Sequence, residues 1–268
     1  MTIFINLAPY MNAMEDFAEL LSRWNGGIEL MMDGPNWRDP VDWEEEFRRF
    51  QQYQGGISVH GPIWELNLAS ARYAGIREYS YEVYKECLNW CAKIGAEHMV
   101  LHPNLYSTPL FDREASQAFA KENLKRLGEY ARKVNVGLAV ENMGMGEYAL
   151  FNQQEFTALF SEIETITALV DVGHAHVNGW DTPQLIRDLG SRIQAVHLHD
   201  NDGIADLHQP IGHGSIEWDS IWDALNDLTH IYRPILEYSE GVSLGLMLQH
   251  GAEVEKLLTK LKLPGRCF

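Results

Sequence analysis

The chain has 268 residues, 46% of them hydrophobic, and a formal net charge of −17. That is enough apolar material for one large α/β domain or two small ones. So acidic a balance argues against a protein that coats nucleic acid by bulk electrostatics, because phosphates are neutralised by Lys and Arg. No run approaches the roughly 18 apolar residues of a membrane span. The opening MTIFINLAPY lacks the basic and apolar regions of a signal peptide, and three cysteines suit a reducing compartment, so the expected location is the cytoplasm.

Short, nearly continuous apolar runs recur along the chain, as parallel strands covered by helices require. They fall at residues 2–7, 27–32, 56–60, 97–102, 136–141, 167–171, 193–198 and 233–237. Helical patterns lie between them. Residues 76–94 set Ile76, Val83, Cys87, Cys91 and Ile94 on one face, which gives the two cysteines a packing role. Asp112 is the expected N-cap of a helix reaching about Val134, and Asn152 with Glu155 forms a capping-box pattern. Asp181-Thr182-Pro183 caps another helix, and two more are expected over about 218–228 and 246–261. No linker or composition step divides the chain. Eight strand–helix alternations predict a single (β/α)8 barrel over residues 1–268. The alternative is a doubly wound open sheet, but no glycine-rich dinucleotide turn follows the first strand.

The strand ends carry the chemistry. His60, His102, Glu141, Asp171, His197 and Glu237 lie at or next to the C-terminal ends of six consecutive predicted strands. In a barrel these ends converge on one mouth, where active sites sit. A lone histidine there is more often a hydrogen-bonded structural residue. Six ligand-type side chains in succession point instead to a divalent transition metal, for which imidazole with carboxylate is a preferred donor set. Asp171-Val172-Gly173-His174 can turn a second imidazole back to the mouth. The segment 196–208 packs three histidines and three aspartates, and it brings Asp206 and His208 from the loop after strand seven. His176, His199 and His213 are looser, and support of a metal ligand, contact with substrate and a plain loop role are all open. His98, His230 and His250 fall away from the mouth and are expected to be structural.

With these residues placed, the chain resembles the xylose-isomerase-like barrel superfamily, which holds sugar and sugar-phosphate isomerases and epimerases and also the type IV AP endonucleases. The resemblance runs from about Ile57 to Glu237. It rests on VHGPIWELNLAS around His60, VLHPN around His102, VEN at Glu141, DVGHAH at Asp171, HLHDN at His197, DLHQPIGHG at Asp206 and PILE at Glu237. The isomerase and epimerase members imply one metal held by Glu141, Asp171, His197 and Glu237, with Glu141 and Glu237 exchanging protons with the substrate. The endonuclease members imply three metals, adding His60 and His102, with His174, Asp206 and His208 on the third. One departure is Gly212-His213-Gly214, where the family pattern usually has an acidic residue between the glycines.

Two enzyme classes follow, with a non-catalytic metal-binding barrel as a third reading. The first is a metal-dependent isomerase or epimerase of a sugar or sugar phosphate, working by proton transfer next to a carbonyl. The second is a phosphodiesterase or abasic-site nuclease with a multi-metal cluster. The extra ligands suit the second. The acidic, tryptophan-rich segment MMDGPNWRDPVDWEE, a poor surface for a DNA backbone, suits the first. Trp37, Trp43 and Trp64 would either line a sugar pocket or pack in the core or at the rim. The expectation is the isomerase or epimerase, with one to three ions of Zn, Mn, Co or Fe.

Overall fold

The computed structural model describes residues 1–10, 14–33, 48, 50, 53–105, 111–143 and 146–260. Trp37 and Trp43 lie outside these. Eight parallel strands, β1 (Phe4–Asn6), β2 (Gly27–Met31), β3 (Ile57–His60), β4 (His98–Leu101), β5 (Gly137–Glu141), β6 (Thr167–Asp171), β7 (Ile193–Leu198) and β8 (Arg233–Leu236), pair in sequence order. β1 pairs with β8 through Phe4↔Ile235, so the sheet is closed and the open-sheet alternative falls. Eight helices are present among the described residues: α1 (Met14–Arg23), α2 (Ala74–Ile94), α3 (Arg113–Val134), α4 (Gln153–Glu162), α5 (Val172–Val177), α6 (Thr182–Leu189), α7 (Trp218–Asp227) and α8 (Leu244–Lys260). None is long and apolar enough to cross a membrane.

Local chemistry sets the helix ends. Asp112 accepts from the Ala115 amide at 3.1 Å to start α3, and Asn135 ends it with φ 59°, a left-handed conformation that asparagine tolerates. Asn152 and Glu155 close both halves of a capping box on α4. Asp181 caps α6 by accepting from Gln184 at 3.0 Å. Helix α2 begins at Ala74, two residues before the periodic pattern, and Cys87 and Cys91 are buried thiols on its inner face.

Two apolar layers hold the barrel. The larger lies between strands and helices. The smaller is a plug inside the barrel: Phe4, Val100, Ala139, Leu169, Ala195 and Ile235. Gly27 lets Phe4 fill its share, since a Cβ on Gly27 would stand 2.4 Å from the phenyl ring. Side chains alternate with period two along a strand. The inward positions two residues beyond the plug are therefore Asn6, His102, Glu141, Asp171, His197 and Glu237. The plug is the floor of the site.

Beneath the plug, two residues before Val100, His98 is fully buried and neither ring nitrogen has a hydrogen-bond partner. Burial holds its pKa down at about 4. An unfolded histidine titrates near 6.5. Between pH 6.5 and 4 the unfolded chain therefore binds a proton that the native chain refuses, and stability is lost as the pH falls. Acidification from pH 7 to 5 is expected to cost the wild type about 2 kcal/mol more than His98→Leu, from linkage at this single group. Urea unfolding of both proteins at the two pH values measures the difference, and parallel losses would refute it.

Candidate metal centre

All nine ligand-type residues singled out from the sequence converge at the C-terminal mouth. Glu141 is at the middle. Its Oε2 lies 2.8 Å from His102 Nε2 and 3.5 Å from His60 Nε2, and its Oε1 lies 3.0 Å from His174 Nδ1 and 3.6 Å from His197 Nδ1. Asp171 ends β6 and also caps α5, accepting from the His174 amide at 2.6 Å. That cap is what turns His174 back to the mouth. Asn142 ties β5 to β6 there, donating to the Asp171 carbonyl at 3.0 Å and accepting from its amide at 2.7 Å. Glu237 Oε2 approaches His197 Nδ1 at 2.9 Å, and Glu237 Oε1 accepts from Asn6 Nδ2 at 3.1 Å.

Asp206 Oδ2 sits between His174 Nε2 at 3.1 Å and His208 Nε2 at 3.0 Å. His208 reaches this position with φ 47°, a left-handed conformation that costs a non-glycine residue energy and is often found at functional sites. The loop carrying it is organised by Asp200, whose carboxylate accepts from the amides of Asn201, Gly212 and Ile216 and from the Trp218 indole. His213 is exposed between its glycines, so the departure from the family pattern leaves this anchoring in place.

Two contributors lie beyond the nine: Glu29, which the sequence reading does not single out, and His199, one of the looser histidines whose role it leaves open. Glu29, fully buried in β2, meets His197 Nε2 at 2.9 Å, Asn6 Nδ2 at 3.0 Å and Ser58 Oγ at 3.2 Å. It turns His197 Nδ1 towards Glu141, Asp171 and Glu237. His199, also buried, lies 3.0 Å from Asp171 Oδ2. Of the looser histidines, His176 pairs with Ser215 Oγ at 2.9 Å. His230 meets the Ile193 carbonyl at 2.7 Å, at the N-terminal end of β7, and His250 meets the hydroxyl of Tyr238, a cavity-lining residue, at 2.8 Å.

Five sets of donor atoms each lie within 4.8 Å of one another: His174, His199, Asp206 and His208; His60, His102 and Glu141; Glu29, His197 and Glu237; Glu141, Asp171 and His197; Asp171, His199 and Glu237. The electrostatics match. Burial alone would lower the His60 pKa, but the Glu141 hydrogen bond and charge, with Glu237 and Glu29, raise it to about 9. His208 is likewise raised against burial to about 9, chiefly by Asp206. His102 is lowered, by burial and by the neighbouring imidazoles His60 and His174. Despite burial, which raises it, the charge and hydrogen bond of His197 hold Glu237 at about 2. The pocket thus holds its carboxylates ionised and draws in positive charge. His174 Nδ1 faces Glu141 Oε1 at 3.0 Å and His197 Nδ1 faces Glu237 Oε2 at 2.9 Å, while Asp206 Oδ1 is buried without a hydrogen-bond partner. A buried orphan is rare in native proteins, and imidazole nitrogens grouped this closely with carboxylate oxygens form the donor set a divalent cation prefers, so the residues present fit divalent metal.

Above the centre opens a cavity of about 360 Å³, walled by apolar side chains such as Met31, Ile63 and Met143 and by the acidic Glu141, Asp206 and Glu237. No lysine or arginine lines it among the described residues. Trp64 is 46% exposed, and its neighbour Ile63 faces the cavity in its place.

Uncharacterized protein MJ1614 of Methanocaldococcus jannaschii is 27% identical over 218 residues, covering 81% of this chain and 84% of that protein. Among solved structures, a D-tagatose 3-epimerase-like protein superposes with a TM-score of 0.80 at 21% identity, covering 97% of this chain and 99% of that one. The IOLI protein with a bound zinc atom superposes at 0.78 and 16% identity, covering 98% and 100%. Identities this low establish a shared fold. Residues 25–254 match the model of the xylose isomerase-like TIM barrel, and the chain belongs to that family.

Proposed function

We propose that this protein is a divalent-metal-dependent isomerase or epimerase of a small sugar, working by proton transfer next to a carbonyl. One observation carries the reading. Glu141 and Glu237, from strands three apart, both approach the same nitrogen of His197, at 3.6 and 2.9 Å, and both line a cavity of about 360 Å³. A space of that size suits a monosaccharide. The absence of a basic side chain among its described lining favours an unphosphorylated one.

Bound by Glu141, Asp171, His197 and Glu237, a divalent cation would supply Lewis-acid polarisation of the sugar's carbonyl and hydroxyl oxygens. The chain's own groups do the rest. Glu237, its side chain 12% exposed at the cavity, is placed to take a proton from the carbon beside the carbonyl. Asn6 holds that carboxylate from below by donating to its Oε1. Glu141, 1% exposed and held by His102 and His174, also lines the cavity and would act as the partner carboxylate. Glu29 keeps the proton of His197 on Nε2, leaving Nδ1 free as a donor.

A phosphodiesterase is the second reading. The donor sets share Glu141 and Asp171, an arrangement able to hold more than one cation around a phosphate. Elemental analysis of the purified protein addresses both, since three ions per chain favour the phosphodiesterase and one or two the sugar enzyme.

Glu237→Gln should keep the fold and much of the metal but lose roughly 100-fold or more in turnover, because an amide cannot exchange the proton. His208→Ala should be milder for the sugar enzyme and severe for the phosphodiesterase. Both variants are assayed on a ketose panel in deuterated water and on abasic-site DNA. Cleavage of DNA with no deuterium entering any sugar would sink the proposal. Glu29→Gln should weaken metal binding roughly 10–100-fold, the usual cost of losing a ligand's supporting partner. Competition with a chromophoric chelator measures it, and unchanged affinity would remove Glu29 from the centre.

A further inference from the structure

We infer that His199 is a fourth protein donor to the cation position framed by His174, Asp206 and His208, and that its presence closes that position to substrate. The inference rests on the reading of the mouth as a metal centre and goes beyond the nine residues the family resemblance assigns.

His199 stands two residues after His197 and so points into the same mouth. It is fully buried. Its Nε2 faces both oxygens of Asp171, at 3.1 and 3.0 Å, and Asp206 Oδ1 at 3.8 Å. Asp206 Oδ1 is buried and has no hydrogen-bond partner. The ring lies flat on that of His208, centroids 4.0 Å apart and planes within 11°. One donor atom from each of His174, His199, Asp206 and His208 falls within a common span of 4.8 Å.

The backbone makes room for this ring. Gly173 sits beneath it, and a Cβ there would stand 1.9 Å from His199 Cε1 and under 3 Å from both ring nitrogens. A glycine in the first turn of α5 gives up helix propensity; here the missing side chain is what seats an imidazole against Asp171 and Asp206.

Four protein donors fill a tetrahedral shell, the pattern of sites that hold structure, whereas a catalytic metal keeps an open position. Three imidazoles and one carboxylate suit zinc or cobalt better than magnesium or calcium. The donors come from the turn after β6, the end of β7 and the loop beyond it, so an ion here would fasten that loop to the barrel. Substrate would meet the other donor sets, which are richer in carboxylate.

The test uses the full-length protein, stripped with a chelator and reloaded with Co²⁺. Bound equivalents are counted by elemental analysis, the visible spectrum reports coordination, and competition gives affinity. His199→Asn and Gly173→Ala should each lose the equivalent that His208→Ala loses, or weaken it by about 100-fold or more, beyond the usual cost of losing a supporting partner. The double variant His199→Asn/His208→Ala should lose no more than His208→Ala alone, since both act on one ion. His213→Asn, at an exposed position, should bind as the wild type does. Gly173→Ala changes no donor atom, so its loss of the same ion ties that loss to the seating of the His199 ring. The inference is overturned if His199→Asn keeps every equivalent at wild-type affinity, or if its loss adds to that of His208→Ala and coincides with that of Asp171→Asn. A wild type that binds no cobalt at all would instead reject the metal centre as a whole.

Discussion

The mouth of this barrel depends on charge balance in a dry space. Glu29, Glu141 and Asp171 are fully or almost fully buried, with Asp206 and Glu237 beside them, while His60, His102, His174, His197 and His199 are buried among them. Five carboxylates brought this close would repel one another by several kcal/mol per pair at the low effective dielectric of an interior. They coexist because each faces imidazole. Protons satisfy the balance in part, as the raised pKa values of His60 and His208 express. A divalent ion would satisfy it more completely, and the imidazole nitrogens are grouped with the carboxylate oxygens closely enough to hold one.

That balance would fail if the floor moved. The apolar plug sets the height of each ligand-type residue because Val100, Ala139, Leu169, Ala195 and Ile235 each precede one by two positions. A slip of one residue in any of these strands would send its ligand outward into the helix-facing core. The β6–β7 pair carries a register shift between Ala168 and Leu169, below the site, and Asp171 still lies opposite His197.

Much of this was readable from the residues alone. The eight apolar runs match the eight strands to within one or two residues at each end, because parallel strands covered on both faces must be apolar throughout. The caps at Asp112, Asn152 and Asp181 follow from local chemistry and lie where expected. Glu29 escaped because attention to strand ends passes over a residue in the middle of a strand. The signal was there: one charged residue inside GIELM, which a barrel interior accepts only if it is paired. His199 escaped for a different reason. Its face follows from period two, but its closeness to Asp206 depends on how the loop after β7 folds back under Asp200, and spacing does not encode that.

The pairing of Phe4 with Ile235 has a consequence for how the chain reaches this state. Asn6 and Glu237 share a hydrogen bond across 231 positions of sequence, so this contact forms only when the first strand has met the eighth. Contacts of such long separation form slowly, since the entropy of closing the intervening chain is lost before they repay it. An ion held by Glu141, Asp171, His197 and Glu237 would fasten only the run from β5 to β8. The seam between β1 and β8 is left to the strand pairing and to Asn6, so the half of the cylinder that carries the ligands can be tied together before the ring closes.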